Sequence, residues 1–480
     1  MTTRREFLIK SAISAAAATL SSSLNAKSDQ TKSLSSASGN NSDVTFPSNQ
    51  HFKSDNTLPA LQWFPDAKFG VFIHWTLTNV ALTPGEENLN FIDQAKSRAA
   101  RFSADNFDAK KWARDFKSWG AKYAVLTTKH HIGFALFDGP AGFSVMTSSP
   151  VKRDLVREYT IAMRDEGIKV GLYYSLPDWS HPDYASLTNI KARPEEQKAT
   201  RAYAIKDDPL RWNRFVKQMF AEVRHLCTAY GKIDLLWFDG DWERSAEQWQ
   251  TMELAKMIYE LQPGCVINNR LRSADLGHYN TPENVAPLNP REGWWEFCMT
   301  PGDNWDGIAA NTNIKPANEI IRIVGDVLGM GGNFLINVAP LDKGAIPKVQ
   351  WDNMDQIGQW ITSHSQAVYN TRYALPHGLF NGAVTRKGAT LFLIAFDTPR
   401  NELVLKGTND EVLKITHLLS GKELKYRYSG GFGGWGKKGW LYIEVPESCM
   451  DKFATVIKID FKNHEVKFDT PSGEKIIYKD

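Results

Sequence analysis

From about residue 60, apolar runs and amphipathic stretches alternate along the chain. KFGVFIHW (68–75), KYAVLTTKHH (122–131), KVGLYYS (169–175), KIDLLWFDG (232–240), CVINNR (265–270) and NFLINVAP (333–340) have the pattern of buried strands. Between them, 108–120, 152–167, 208–231 and 245–263 carry apolar residues at helical spacing. The first three of these end on Gly120, Gly167 and Gly231, as helices often do. Strands alternating with helices imply βαβ units and a parallel sheet. This many units over roughly 300 residues predicts a TIM-like (β/α) barrel at 59–377.

After residue 378 the rhythm changes. ATLFLIAFD, NELVLKG, EVLKITHLL, GWLYIEVPE and ATVIKIDF are short alternating runs separated by Gly, Pro, Asn and Lys. They predict a C-terminal antiparallel β-sandwich over 378–480. The glycine-rich SGGFGGWGKKG (429–439) reads as a hairpin loop, because no helix follows that would make it a phosphate loop.

The N-terminus differs from both. Arg4-Arg5 precede a mild Ala/Ser-rich stretch ending at Ala26, which reads as a twin-arginine export signal over 1–26. The stretch is too short and polar for a transmembrane helix. It directs the protein to the periplasm or beyond. Residues 27–58 are rich in Ser, Asn, Asp and Lys and predict a disordered linker. A net charge of +3 across 480 residues gives no argument for a nucleic-acid partner. The four cysteines are widely spaced, with no CxxC, so a structural zinc site is not expected.

Catalytic groups of a (β/α) barrel sit at the C-terminal ends of its strands. That rule selects His74, His130, His131, Tyr173, Asp239 and Arg270. Alternation refines it: Phe238 must face the helices, so Trp237 and Asp239 point together into the barrel, while Asp241 lies beyond Gly240 in a loop. On the third strand the same argument turns Tyr173 inward. The histidines and Asp239 also suggest a metal site. Adjacent histidines point opposite ways on a strand, however, and no His-x-His occurs, so neither a metal nor another cofactor is expected.

These motifs, in order, resemble the α-L-fucosidases of glycoside hydrolase family 29. WFPDAKFGVFIHW, AKYAVLTTKHHIGFALFD, GLYYSLPDW, IDLLWFDGDW, TPENVAP, GWWEFCMT and GGNFLINVAPLDKGAIP carry the similarity. The resemblance implies a retaining double displacement with Asp239 as nucleophile. It offers two glutamates as acid/base: Glu283, the favoured one, or Glu296, otherwise a substrate contact. It makes His74, His130, His131, Tyr173, Trp237, Arg270 and Trp305 substrate-binding. The implied partner is a fucosylated oligosaccharide or polysaccharide. Departures occur near the first strand: Thr76 replaces a usual Gly, Ile132 a usual Asp, and GEENLN (85–90) lacks a usual Trp, leaving Glu86 or Glu87 for a hydroxyl. They keep open a related sugar such as α-L-galactose or a substituted fucose. An inactive fucose-binding, lectin-like protein is the alternative of another class.

Overall fold

The computed structural model describes residues 54–185, 203–376, 378–399, 401–432, 437–463, 468–469 and 475–476. The expected signal segment and most of the expected linker lie outside the described residues. The last part of that linker is tied down: Ser54 Oγ donates to Gly277 O at 2.7 Å and Asn56 Nδ2 to His278 O at 2.9 Å.

Eight parallel strands form the main sheet: β1 (Phe69–Ile73), β2 (Tyr123–Lys129), β3 (Lys169–Ser175), β4 (Leu235–Asp239), β5 (Val266–Ile267), β6 (Tyr279–Asn280), β7 (Trp294–Met299) and β8 (Asn333–Val338). Their order is β5-β4-β3-β2-β1-β8-β7-β6, and a parallel bridge between Asn268 and Tyr279 joins the two ends into a nearly closed barrel. The expected strand 265–270 shrinks to two residues, and the helix expected over 245–263 is broken by Gln250 in a left-handed conformation (φ 53°). β7 and β6 add to the strands expected from the sequence; β6 is too short to show a pattern.

Inward and outward residues alternate as the strand argument requires. Leu236 and Phe238 pack with the surrounding helices, whereas Leu235 and Trp237 belong to an inner cluster with Phe72, Tyr173 and Tyr279. Phe64, from the short helix Trp63–Ala67, closes the N-terminal end of this inner cluster, its ring 4.4 Å from that of Tyr279. Helix starts follow local chemistry: the side chains of Asp108, Asp154 and Asp208 each cap a helix by accepting from a backbone N–H three residues on.

Two larger antiparallel sheets follow, ahead of a final two-stranded one, Phe468–Asp469 with Lys475–Ile476. One has the order β13-β16-β11-β10-β9, from β9 (Arg372–Tyr373), β10 (Ala383–Lys387), β11 (Thr390–Ala395), β13 (Val412–His417) and β16 (Thr455–Phe461). The other pairs β12 (Glu402–Leu405) with β15 (Lys437–Glu444) and β14 (Tyr426–Phe432). Leu391, Leu393, Ile457 and Ile459 of the first meet Leu405, Leu441 and Ile443 of the second in one apolar layer. The antiparallel region begins at Arg372, before the expected boundary at 378, because a two-residue strand offers no alternation to read. The expected hairpin loop 429–439 is largely strand: Gly430 pairs with Gly439 and Phe432 with Lys437. Both glycines have positive φ, and a Cβ on Gly439 would meet Ser429 O.

The barrel and the sheets share a core. Ala383, Phe392, Ile394, Ala454 and Val456 join the helix-side cluster of the barrel. Trp360 Nε1, on helix Lys348–Ser363, donates to Ala454 O at 3.1 Å. Helix Ala317–Gly329 packs on β10, with Gly325 close against the Phe396 ring. All four cysteines are buried free thiols. No described helix is long and apolar enough to cross a membrane.

Candidate active site

A cavity of about 600 Å³ opens at the C-terminal ends of the strands. Its inner surface is aromatic: the Phe72, Tyr173 and Trp237 rings touch one another within the barrel. Asp239, the last residue of β4, lies among them with its side chain 13% exposed. Its Oδ1 accepts from Arg270 Nη1 at 2.7 Å and its Oδ2 from the Tyr173 hydroxyl at 2.9 Å. Burial alone would raise its pKa, but the charge of Arg270 and the hydrogen bonds from Arg270 and Tyr173 hold the carboxyl below its ordinary value. Asp239 is therefore an anion at neutral pH.

Arg270 reaches further. Its Nη2 donates to Glu283 Oε2 at 2.7 Å, its Nε to Thr281 Oγ1 at 2.9 Å, and its guanidinium lies 4.5 Å from the Trp237 ring centre. One planar cation thus holds Asp239 and Glu283 at once. The other oxygen of Glu283 accepts from Trp305 Nε1 at 3.1 Å. Glu283 is positioned by backbone pairing of its own neighbours to β7: Cys298 N donates to Pro282 O and Asn284 N to Cys298 O.

The histidines can be assigned tautomers. Asn337 Nδ2 donates to Trp305 O at 2.7 Å, so Asn337 Oδ1 must accept, and it takes the proton on His74 Nδ1 at 2.7 Å. Burial first, then the neighbouring His130, bring His74 down to about 4. The ring is neutral, with Nε2 a lone-pair acceptor. Ser175 Oγ donates to Pro177 O at 2.9 Å, so His131 Nδ1 donates to Ser175 at 2.6 Å. Burial and His130 push His131 to about 3. Its Nε2, 3.5 Å from Asp239 Oδ2, is then a second neutral acceptor and not half of an ion pair. His130 stacks on Tyr173 between the two. Neutral acceptors beside aromatic faces suit the hydroxyls and C–H faces of a sugar ring.

Glu296 does not join this set. It is fully buried on β7 and does not line the cavity. Its oxygens accept from Trp237 Nε1 at 3.0 Å and from the Tyr123 hydroxyl. The structure thus sets it behind Trp237, where it orients that ring, rather than in the expected place against substrate. Burial raises Glu296 to about 7 against the pull of those hydrogen bonds. A carboxyl raised on folding binds its proton more tightly in the folded state, so it destabilises the fold as pH climbs from its unfolded value toward about 7. In melting curves from pH 5 to 7, the wild type should lose stability relative to Glu296→Gln. Parallel curves would contradict a raised Glu296.

Asp241 also lies off the cavity: its Oδ2 accepts from Arg272 N at 2.8 Å in the loop. Asp241→Asn should keep kcat/KM within about tenfold of wild type, a barrier change below ~1.4 kcal/mol.

Several cavity residues escaped the sequence reading. Phe72 was within reach, since it stands two residues before His74 on the same inward face of β1. Phe91, Gln94, Ala95 and Arg98 line one wall at helical spacing from the helix Phe91–Arg101, which was not anticipated. Asp306, half-buried in the cavity wall, accepts from Thr76 Oγ1 at 2.6 Å; His130, Thr76 and Thr78 hold its pKa below normal against desolvation. Of the two glutamates after β1, Glu86 is engaged by Thr83 N, Ser97 and Arg101, and only Glu87 lines the cavity. Among the described residues no group of three or more His, Cys, Asp or Glu side chains could hold a metal ion.

Comparison with known proteins bears directly on this site. The family model described as α-L-fucosidase matches residues 35–366, most of the chain. The chain belongs to the α-L-fucosidase family. It is 28% identical over 442 residues to the tissue α-L-fucosidase of Homo sapiens, covering 84% of this chain and 89% of that one. The α-L-fucosidase of Dictyostelium discoideum is 29% identical over 355 residues, 66% of this chain and 73% of that one. Among solved structures, α-L-fucosidase isoenzyme 1 from Paenibacillus thiaminolyticus superposes with a TM-score of 0.74 at 31% identity, over 84% of this chain and 99% of that chain. A family 29 α-L-fucosidase from Bacteroides thetaiotaomicron, trapped as a covalent intermediate with 2-fluoro-fucosyl fluoride, gives a TM-score of 0.72 at 27% identity, over 86% and 98% of the two chains. In this α-L-fucosidase family member, the barrel fold and the cavity at its C-terminal mouth coincide.

Proposed function

We propose that the protein is a retaining exo-glycosidase that releases terminal α-L-fucosyl residues from oligo- or polysaccharides. The observation that carries this reading is the single Arg270 guanidinium bound to both Asp239 and Glu283. A shared fork favours the short carboxylate spacing of retaining enzymes, about 5–5.5 Å, over the wider one that admits a water for inversion. Asp239, ionised and held by Tyr173 and Arg270, attacks the anomeric carbon. Glu283 protonates the leaving oxygen, then takes a proton from the water that cleaves the glycosyl-enzyme. His74 and His131 accept from ring hydroxyls through Nε2, and the Trp305 ring packs against the apolar face of the sugar. Identifying the first-formed anomer by NMR tests the mechanism: α-fucose is expected, and β-fucose as first product would overturn it.

A second reading, hydrolysis of a related L-sugar such as an α-L-galactoside, is favoured by Thr78, Asn304 and Asp306, polar residues flanking Trp305 in the cavity wall. Comparing kcat/KM on aryl α-L-fucoside and α-L-galactoside decides between the two. Export through the twin-arginine segment completes the proposal; N-terminal sequencing of the native protein should begin near Lys27.

A further inference from the structure

A second cavity, of about 710 Å³, lies at the opposite, N-terminal end of the barrel strands. It is framed by the residues leading into β1, β7 and β8 and by β9 and the β10–β11 turn. Five cationic residues line it: Lys68, Arg291, Arg372, Arg386 and Lys387. Among the described residues that line it, none is acidic. Asp66, outside the lining, pairs with Arg372 at 2.7 Å.

Three features set this cluster apart from an ordinary solvated face. Arg372 and Arg386 are direct cross-strand partners on β9 and β10, which sets two guanidinium-bearing residues side by side at the cavity. Lys68 is fully buried beside them, its Nζ donating to Gly331 O at 2.9 Å. Burial, then the charge of Arg372, bring its amine down to about 7. The depth is also graded, from buried Lys68 and Arg386 to half-exposed Arg372 and exposed Arg291 and Lys387. A barrel's N-terminal face ordinarily serves stability, and converging cations work against it. An oxyanion suits such a cluster: the planar forks of the arginines match its oxygens, and its charge favours the charged form of Lys68. The side chains of Trp294 and Tyr373 in the same lining add ring faces against which a saccharide can pack.

We propose that this cavity binds an anionic saccharide, a sulfate ester or carboxylate carried on a glycan chain, at a site separate from the catalytic cavity. The saccharide half of the statement rests on the fucosidase reading; the anion half rests on the five cations alone.

Calorimetry on the full chain tests it with three probes: a sulfated fucan oligosaccharide, its desulfated counterpart and inorganic sulfate, each with saturating L-fucose present to fill the catalytic cavity. The sulfated oligosaccharide should bind about tenfold or more tighter than either control, and added salt should weaken it. The double variant Arg291→Gln/Lys387→Gln, at two exposed positions, and Arg372→Gln should each weaken binding about tenfold while turnover of an aryl α-L-fucoside stays unchanged. Equal binding of the desulfated chain, displacement by L-fucose, or undiminished binding by the variants would overturn the proposal. Inorganic sulfate binding as tightly as the oligosaccharide would overturn its saccharide half. Failure of the fucosidase reading is separately visible, as absent turnover with binding intact.

Discussion

Asp239→Gly is expected to abolish turnover of every fucoside, activated or not. The loss should be on the order of 10⁴–10⁶-fold in kcat, the scale seen when a catalytic nucleophile is removed. No neighbour can substitute. Glu283 stands on the far side of the Arg270 guanidinium, Glu296 is sealed behind Trp237, and Asp241 is turned into its loop. The deletion also leaves a small space lined by the Arg270 and Tyr173 donors, which suits an anion. Azide should enter there and attack the anomeric carbon of an activated aryl fucoside from the nucleophile's face. The product is then a β-fucosyl azide, with inverted configuration, identified by NMR. An active Asp239→Gly enzyme without azide, or an α-azide product, would remove Asp239 from the nucleophile's role.

Glu283→Ala should separate the two chemical steps. Proton donation contributes roughly 10²–10⁴-fold where the leaving group needs it. Natural glycosides should therefore lose that much activity, while an aryl fucoside with a good leaving group keeps much of its first step. Deglycosylation then becomes limiting, because no base activates the water, and the fucosyl-enzyme should accumulate. Azide should release it as the α-azide, with retained configuration. Intact-mass measurement of the trapped enzyme checks the accumulation. The same pattern from Glu296→Ala with an active Glu283→Ala enzyme would falsify the assignment, and would require Glu296 to leave its pocket behind Trp237.

Much of this site could be read in the chain because strand geometry is periodic. Phe238 had to meet helices, so Trp237 and Asp239 had to face inward, and the inner cluster places Trp237 there. His74, His130 and His131 were legible as residues just past β1 and β2. What the periodicity could not supply was contact between distant loops. Arg270 spanning two carboxylates depends on where the chain goes after a two-residue strand, which has no pattern of its own. The preference for Glu283 over Glu296 comes from the family resemblance and not from strand periodicity, because both stand near β7. One lies in a loop at the cavity and the other on the strand facing the barrel interior, and only the fold separates them. Arg372 and Arg386 gave no signal at all, since cross-strand register is not written locally.

The shared core between the barrel and the C-terminal sheets has a consequence for the order of events during synthesis. The last barrel strand is complete at Val338, but part of the apolar surface of the barrel's final helices is covered by β10, β11 and β16. β16 lies between β13 and β11 in its sheet and ends only at Phe461. At translation rates of about 5–20 residues per second, the growing chain carries that uncovered surface for roughly ten seconds. A twin-arginine route carries proteins already folded. Under the export proposed above, the leader at the first end of the chain must therefore wait for strands made near the other. A chain stopped before β16 should stay on the cytoplasmic side with its leader attached, and its exposed helices would become a target for chaperones and proteases.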